Sequence, residues 1–185
     1  MIGLFGGAFD PPHNGHVALL AAARAALDLD EIQVIVAGAP GHKRIETPAE
    51  TRLALARAAF PDEQLVLDEH ARTVDMLRAH PEWEGAFFLL GADEFCDLPT
   101  WKEPAELLRL VRVGVATRPG YPPERLQEVL DGLAAPGRVS FFDLMPMPVA
   151  SRELRARLDR GGDLHGLVPD AVREIIERDR LYGRG

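Results

Sequence analysis

Two glycines and two histidines stand close together near the start of the chain. The glycines are Gly6 and Gly7, and the histidines, His13 and His16, are three residues apart. Glycine lets a backbone turn sharply and lets a ligand approach closely. A helix beginning near Asn14 would direct free N–H groups and the positive end of its dipole at the same place. Both imidazoles can lie on one side of that helix and donate hydrogen bonds to phosphate oxygens, so the segment predicts a phosphate site.

Other interpretations of the two histidines stay open on these residues alone. The chain contains no Gly-Lys pair, which excludes G-x-x-x-x-G-K-[ST], and no G-x-G-x-x-G follows the first apolar run. A zinc site needs three or four ligands, whereas the lone Cys96 and the scattered histidines offer no paired spacing. The histidines could also be ordinary residues of a helix start.

Short apolar runs alternate with helix-like segments, and these elements must position the candidate site. We expect strands over residues 2–5, 32–36, 64–67, 86–90, 111–116 and 139–142. We expect helices over residues 17–27, 49–60, 73–80, 104–110, 123–133, 151–158 and 169–178. The alternation predicts an α/β fold: a doubly wound (Rossmann-like) parallel sheet with helices on both faces and C-terminal helices. An α/β domain with a different strand order is the alternative.

Such a sheet binds ligands beyond the carboxyl ends of its strands, where the strand order reverses. The polar segments that follow the predicted strands are therefore the candidates for binding. They cover residues 6–16, 37–44, 91–102 and 117–120.

Length, charge and cysteine content limit the class of protein. The 185 residues suit one domain spanning 1–185, and the net charge of −8 argues against a nucleic-acid partner. One cysteine excludes an internal disulfide, and we see neither an apolar run of about 18 residues nor a basic N-terminal signal. We expect a cytoplasmic protein with no membrane partner that acts on small molecules, and both a monomer and a homo-oligomer stay open.

The segment 6–16, G-G-A-F-D-P-x-H-x-G-H, resembles the G-G-[TS]-F-D-P-x-H-x-G-H motif of bacterial nicotinate mononucleotide adenylyltransferases. These enzymes belong to the H-x-G-H nucleotidyltransferase superfamily. The resemblance covers nearly the whole chain. It continues in P-G-H-K at 40–43, T-V-D at 73–75, G-A-D at 91–93, L-P-T-W-K at 98–102, R-P-G-Y at 118–121, L-V-P-x-x-V at 167–172 and L-Y-G at 181–183.

This resemblance implies adenylyl transfer from ATP to nicotinate mononucleotide, giving deamido-NAD and pyrophosphate in NAD biosynthesis. It implies Mg²⁺ held mainly by the ATP phosphates, and His16 and His13 as catalytic residues. It assigns ATP binding to Gly6, Gly7, Ala8, Phe9, His13, Gly15, His16, Gly91, Asp93, Ser151, Arg152 and Arg155. It assigns mononucleotide binding to Asp10, Lys43, Thr73, Trp101, Lys102 and Arg118.

Three of these residues also fit simpler roles. Asp10 could be a turn and cap residue, and Asp93 could cap a helix. Trp101, which the resemblance stacks on the pyridine ring, could be a core or surface tryptophan.

The chain departs from the family pattern at three places. Ala8 replaces Thr or Ser, residues 71–72 are Ala-Arg instead of Ser-Tyr, and residues 149–155 read V-A-S-R-E-L-R instead of I-S-S-T-x-I-R. Fewer hydroxyls are thus available to a triphosphate, which keeps a catalytically silent nucleotide sensor as an alternative. Transfer to another phosphate acceptor, such as phosphopantetheine, is a further alternative. A tRNA synthetase would need a tRNA-binding domain for which the chain has no room.

Overall fold

The computed structural model describes residues 1–38, 45–118, 120–145 and 147–183. The strands formed by these residues are β1 (Ile2–Gly7), β2 (Glu31–Ala37), β3 (Gln64–Asp68), β4 (Phe87–Gly91), β5 (Arg112–Thr117) and β6 (Val139–Asp143). The α-helices are α1 (Asn14–Leu27), α2 (Ala49–Ala59), α3 (Thr73–Ala79), α4 (Ala92–Asp97), α5 (Pro104–Leu110), α6 (Pro123–Gly132), α7 (Ser151–Asp159) and α8 (Asp170–Asp179). Short 3₁₀ turns occur at Pro81–Trp83, Leu98–Thr100 and Pro136–Arg138.

The strands form one sheet in the order β3-β2-β1-β4-β5-β6, and every neighbouring pair is parallel. The chain moves outward from β1 to β3, returns to the centre, and then moves outward through β4 to β6. Strand order therefore reverses between β1 and β4. This confirms the predicted doubly wound sheet.

Two hydrophobic cores cover the two faces of the sheet. Successive residues of a strand point to opposite faces, so Phe5 packs with α1, α2 and α8 while Leu4 packs with α3 to α6. Leu4 is fully buried, and burying a leucine contributes about 1.5–3 kcal/mol. The continuous apolar runs of the sequence correspond to this coverage on both faces.

The observed elements differ from the predicted ones mainly at their ends. Gly6 and Gly7 extend β1 and pair with Ile35 and Val36, although they were expected in the loop. Helix α1 begins at Asn14, ahead of its apolar run. Helix α4 was not expected, because its six residues are too short for a periodic pattern; acidic residues in its first turn suit a helix N-terminus.

Among the described residues, no helix combines the length and apolar character that crossing a membrane requires.

Candidate active site

The carboxyl ends of β1 and β4 lie side by side where the strand order reverses. Gly7 ends β1 and Gly91 ends β4, and the two strands pair directly. Helix α1 then leaves toward one face of the sheet and α4 toward the other. Open α/β sheets bind ligands in a crevice at such a divergence, so we expect the binding crevice here.

The backbone between β1 and α1 is fixed by a buried aromatic ring. Phe9 has a φ of 51°, a left-handed conformation that costs an L-residue about 1–2 kcal/mol. Its ring is 2% exposed and packs 5.5 Å from both Phe5 and Phe60, and such burial contributes about 1.5–3 kcal/mol. Burial thus offsets the strained turn. We call residues 8–16 the histidine loop.

His13 and His16 stack on each other at the start of α1. Their ring centroids are 3.6 Å apart with 19° between the planes. The backbone N–H of His13 donates to Nδ1 of His16 at 3.1 Å. Because that nitrogen accepts, the proton of the His16 ring belongs on Nε2. The edge of Phe9 packs against the same ring, with 5.4 Å between centroids.

The stacked pair is poorly suited to carry two positive charges. Two unit charges 3.6 Å apart repel by about 5 kcal/mol at an effective dielectric constant of about 20. His13 is 8% exposed, and burial lowers its pKa from 6.5 to about 4. Near neutral pH His13 is therefore an uncharged ring that meets an anion as a hydrogen-bond donor.

Glycine is required between the two histidines by the close packing of the loop. A Cβ on Gly15 would lie 3.0 Å from Nδ1 of His13 and 3.2 Å from Cγ1 of Val149. A Cβ on Gly7 would lie 2.8 Å from the ring of Phe9. A side chain at either position would displace the rings that form the site.

The C-terminal part of the chain holds the histidine loop by direct hydrogen bonds. Ser151 Oγ donates to the carbonyl of Pro11 at 2.8 Å, and Arg155 donates to the carbonyl of Asp10. Nη1 of Arg155 also lies 3.5 Å from the carboxylate of Asp10. The hydroxyl of Tyr182 donates to Oδ1 of Asp10 at 2.7 Å. Both carboxylate oxygens of Asp10 are therefore engaged inside the protein.

The opposite side of the histidine loop is held by a buried arginine in α2. Arg52 is 1% exposed, and its guanidinium donates to the carbonyls of Ala8, Ala37, Gly38 and Thr47 at 2.6–3.1 Å. These contacts tie the end of β1 to the end of β2. Burial lowers the pKa of Arg52, while the charge of Asp10 acts in the opposite direction.

The segments assigned to the pyridine ring meet on the α3 side of the sheet. Trp101 is half-buried, and its ring packs edge-on against Phe88 of β4, with 6.2 Å between centroids. Lys102 Nζ contacts the carboxylate of Asp75 at 2.8 and 3.0 Å. That contact joins the segment after α4 to the start of α3, where half-buried Thr73 lies.

The remaining predicted ligands lie around the crevice or outside the described chain. Asp93 in α4 and Arg152 in α7 are exposed. Arg118 follows β5, with its guanidinium carbon 6.0 Å from the ring of Tyr121. Lys43 lies outside the described residues.

A metal site made of protein side chains is not found in the part of the chain that the structure describes, where no three His, Cys, Asp or Glu residues are placed to hold an ion. The carboxylate within the histidine loop is that of Asp10. Since Tyr182 and Arg155 engage its oxygens, it is a poor metal ligand.

The fold and the histidine loop define the class of cytidylyltransferase-like nucleotidyltransferases, and the family model of that description matches residues 4–157. In fold, the chain is similar to Plasmodium falciparum nicotinic acid mononucleotide adenylyltransferase complexed with NaAD. The TM-score is 0.80 at 19% identity, covering 98% of this chain and 96% of that one. The same enzyme complexed with APC gives a TM-score of 0.76 over the same shares of the two chains.

Curated relatives narrow the class to a family. Proteins named "Probable nicotinate-nucleotide adenylyltransferase" are 36% identical in Bordetella avium, 37% in Chromobacterium violaceum and 36% in Thermus thermophilus. The alignments cover 98% of this chain and 97–98% of each relative. The chain belongs to the nicotinate-nucleotide adenylyltransferase family, as its motifs indicated.

Two residues that shape the site were missed in the sequence. Arg52 shares a helix face with the buried Ala56 and Ala59. A charged residue on an otherwise apolar helix face could have indicated that Arg52 is buried and needs partners. Tyr182 stands within the L-Y-G motif, but nothing in the sequence indicated that this motif reaches Asp10.

Proposed function

We propose that this protein transfers the adenylyl group of ATP to the phosphate of nicotinate mononucleotide, giving deamido-NAD and pyrophosphate. This is the activity named for the family to which the chain belongs. The observation that carries the proposal is the stacked His13–His16 pair at the carboxyl edge of the sheet, beside the crevice between β1 and β4.

The reaction needs little acid–base chemistry from the protein. An oxygen of the mononucleotide phosphate attacks the α-phosphorus of ATP, a new P–O bond forms, and the bond to the bridging oxygen breaks. Pyrophosphate leaves with the electron pair. Because the nucleophile is already an anion, catalysis depends on positioning and on stabilising charge at the α-phosphate.

We assign that stabilisation to His16. Its Nδ1 accepts from the backbone N–H of His13, which places the ring proton on Nε2, and we propose that this N–H donates to the α-phosphate. The fixed ring loses little entropy on reaching the transition state. We assign His13, uncharged before ATP arrives, to the outer phosphates.

Other contacts to ATP come from backbone and from α7. We propose that Gly6 to Phe9 and Gly15 admit the phosphates closely, and that Gly91 and Asp93 face the ribose. Exposed Arg152 is assigned to the β- and γ-phosphates. Ser151 and Arg155 combine that role with holding the histidine loop.

The mononucleotide is assigned to the α3 side of the crevice. Trp101 stacks on the pyridine ring, and Thr73 with backbone N–H groups near Lys102 receives the carboxylate. Lys43 and Arg118 are candidates for the acceptor phosphate. The contacts of Asp10 with Tyr182 and Arg155 favour a role in fixing the turn over a direct ligand contact.

Nucleotidyltransferases generally need a divalent metal, and we propose Mg²⁺ here. The engagement of the Asp10 oxygens inside the protein favours a cation held mainly by phosphates and water. When bound, it would neutralise charge on the leaving pyrophosphate.

We also propose that residues 1–185 act as one nucleotidyltransferase domain in the cytoplasm. The bonds from Ser151, Arg155 and Tyr182 to the histidine loop support one unit. The single cysteine suits a reducing compartment.

Pyrophosphate release from ATP with a panel of acceptors tests the function. We expect release with nicotinate mononucleotide and none without an acceptor. Release with phosphopantetheine but not with nicotinate mononucleotide would favour an adenylyltransferase for phosphopantetheine, since adenylyl transfer to either acceptor uses the same chemistry at the α-phosphate. Binding of ATP with no release for any acceptor would favour the silent sensor.

A further inference from the structure

The L-Y-G motif near the end of the chain plays no part in the chemistry above, yet its tyrosine reaches the histidine loop. Tyr182 lies 172 positions from Asp10 in sequence, and its hydroxyl is 2.7 Å from the Asp10 carboxylate. We propose that Tyr182 is a positioning residue for the stacked histidines and acts through Asp10. This inference rests on the proposed function.

Asp10 connects Tyr182 to the two histidine rings. Asp10 is 6% exposed, and a buried charge is tolerated only with hydrogen-bonding partners. Tyr182 and Arg155 provide them. Asp10 stands three residues before His13, whose backbone N–H orients the His16 ring. A rotation of Asp10 would therefore shift the donor that orients His16.

The hydroxyl of Tyr182 is a strong and permanent donor at this position. A hydrogen bond to a carboxylate is about twice as strong as one between neutral groups. Burial and the bond to Asp10 raise the pKa of Tyr182 well above its ordinary value. The hydroxyl consequently keeps its proton throughout the working range of pH.

Docking of the C-terminal helix depends on other residues. Val172 and Ile176 of α8 are 0% and 3% exposed within the core shared with α1 and α2. Asn14 adds two bonds to the segment before α8, at 3.0 Å to the carbonyls of Gly166 and Leu167. Removal of one hydroxyl should therefore leave the helix in place and loosen only the loop.

The first test compares Tyr182→Phe with Ile176→Val in the full chain, using ATP and nicotinate mononucleotide. Tyr182→Phe removes only the hydroxyl, whereas Ile176→Val removes a buried methylene of α8. We expect kcat to fall about tenfold in Tyr182→Phe with both KM values within about twofold, because small misplacement of a catalytic group lowers kcat. Ile176→Val should lower the melting temperature and leave kcat unchanged. An unchanged kcat in Tyr182→Phe, or equal losses of kcat in both variants, would overturn the inference.

A double-mutant cycle asks whether the tyrosine acts through Asp10. In an Asp10→Ala background, adding Tyr182→Phe should change kcat by less than about twofold, because the carboxylate through which the hydroxyl acts is already gone. A further tenfold loss in that background would show that Tyr182 acts elsewhere.

A readout without turnover separates this inference from the proposed function. NMR signals of the imidazole nitrogens of His13 and His16 report the loop in the ligand-free protein. We expect them to shift in Tyr182→Phe and to stay unchanged in Ile176→Val. Unchanged signals in Tyr182→Phe would overturn the inference even if the wild type used another acceptor, whereas an inactive wild type with shifted signals would count against the proposed function alone.

Discussion

The surroundings of His13 and His16 differ, although the two residues form a single motif in the sequence. His16 is oriented through its Nδ1 by a backbone donor, while His13 is buried beneath it. The His16 ring is thus oriented by a backbone hydrogen bond, and the His13 ring is kept uncharged by burial. At the scale of single residues, this asymmetry determines what each substitution should do.

Replacement of His16 by alanine should remove most turnover without unfolding the protein. Loss of a preorganised donor at developing charge typically lowers kcat about 100- to 1,000-fold. Steady-state kinetics with a circular dichroism check of folding measures this. The matched control is His165→Ala at an exposed position. Turnover close to wild type would remove His16 from the mechanism.

Acid should destabilise the protein partly through His13. Its pKa is about 4 when folded and 6.5 otherwise, so between these pH values the unfolded chain binds a proton that the folded chain does not. The free energy of unfolding therefore falls as the pH is lowered through this window. The full contribution is on the order of 3 kcal/mol.

Urea unfolding of His13→Gln and the wild type from pH 7 to pH 4 checks this expectation. The variant should lose less stability on acidification than the wild type does. His165→Gln, at an exposed position, should follow the wild type. Parallel curves for His13→Gln and the wild type would contradict a buried, uncharged His13.

At the scale of elements, the first turn of α1 contains a glycine, Gly15, which lowers its helix propensity but lets the two histidine rings pack together. Glycine within a helix costs roughly 0.5–1 kcal/mol relative to alanine. At Gly15 that cost is accepted because a Cβ would lie 3.0 Å from the His13 ring.

Gly15→Ala should therefore lower kcat by about tenfold or more and fail to raise the melting temperature, because the His13 ring must move. Gly132→Ala, at the end of α6 where a Cβ meets no atom within 4 Å, is the control. It should keep full activity and wild-type or higher stability. A more stable and fully active Gly15→Ala would show that the loop tolerates the methyl group.

At the start of α7 we expect two arginines to differ in role, one acting only in phosphate binding and the other also in positioning the histidine loop. Arg152 is exposed, whereas Arg155 contacts Asp10. We expect Arg152→Ala to raise the KM for ATP about threefold to tenfold with kcat unchanged, because it removes a charge-assisted contact. Arg155→Ala should raise that KM and also lower kcat. Steady-state kinetics with varied ATP distinguishes them, and an unchanged KM in both variants would remove α7 from the ATP site.

At the scale of the whole molecule, the site is assembled from distant parts of the chain. The histidine loop follows the first strand, and the contacts that hold the loop come from residues 151–182. The segments that we propose for the pyridine ring are residues 73–75 and 98–102. We therefore expect specificity for the acceptor to depend on how α3 and the segment after α4 meet.

The acid mononucleotide should be preferred to the amide by at least about tenfold in kcat/KM. Lys102 is paired with Asp75, so backbone donors near Thr73 and Trp101 must supply most of the discrimination. A carboxylate accepts from two donors, whereas an amide leaves one unpaired at about 1–3 kcal/mol. Competition between nicotinate and nicotinamide mononucleotides in one assay measures the ratio. Equal rates would contradict the assignment and leave adenylyl transfer standing.

The sequence by itself predicted the alternation of strands and helices, a doubly wound parallel sheet, and a phosphate-binding role for His13 and His16. These features are local, since they depend on runs of apolar residues, helix starts and spacing of a few residues. Helix α4 was not predicted because six residues are too few to show a helical period. Gly6 and Gly7 belong to β1 because the neighbouring strand β2 supplies their pairing partners.

Only the tertiary structure decided what holds the histidines in place. Arg52 reaches Ala8 across 44 positions, and Tyr182 reaches Asp10 across 172. No periodicity links residues so far apart; folding alone brings them together, and burial then requires each charged group to find a partner. The same burial set the pKa of His13, which depends on the atoms that surround the ring and not on its neighbours in the chain.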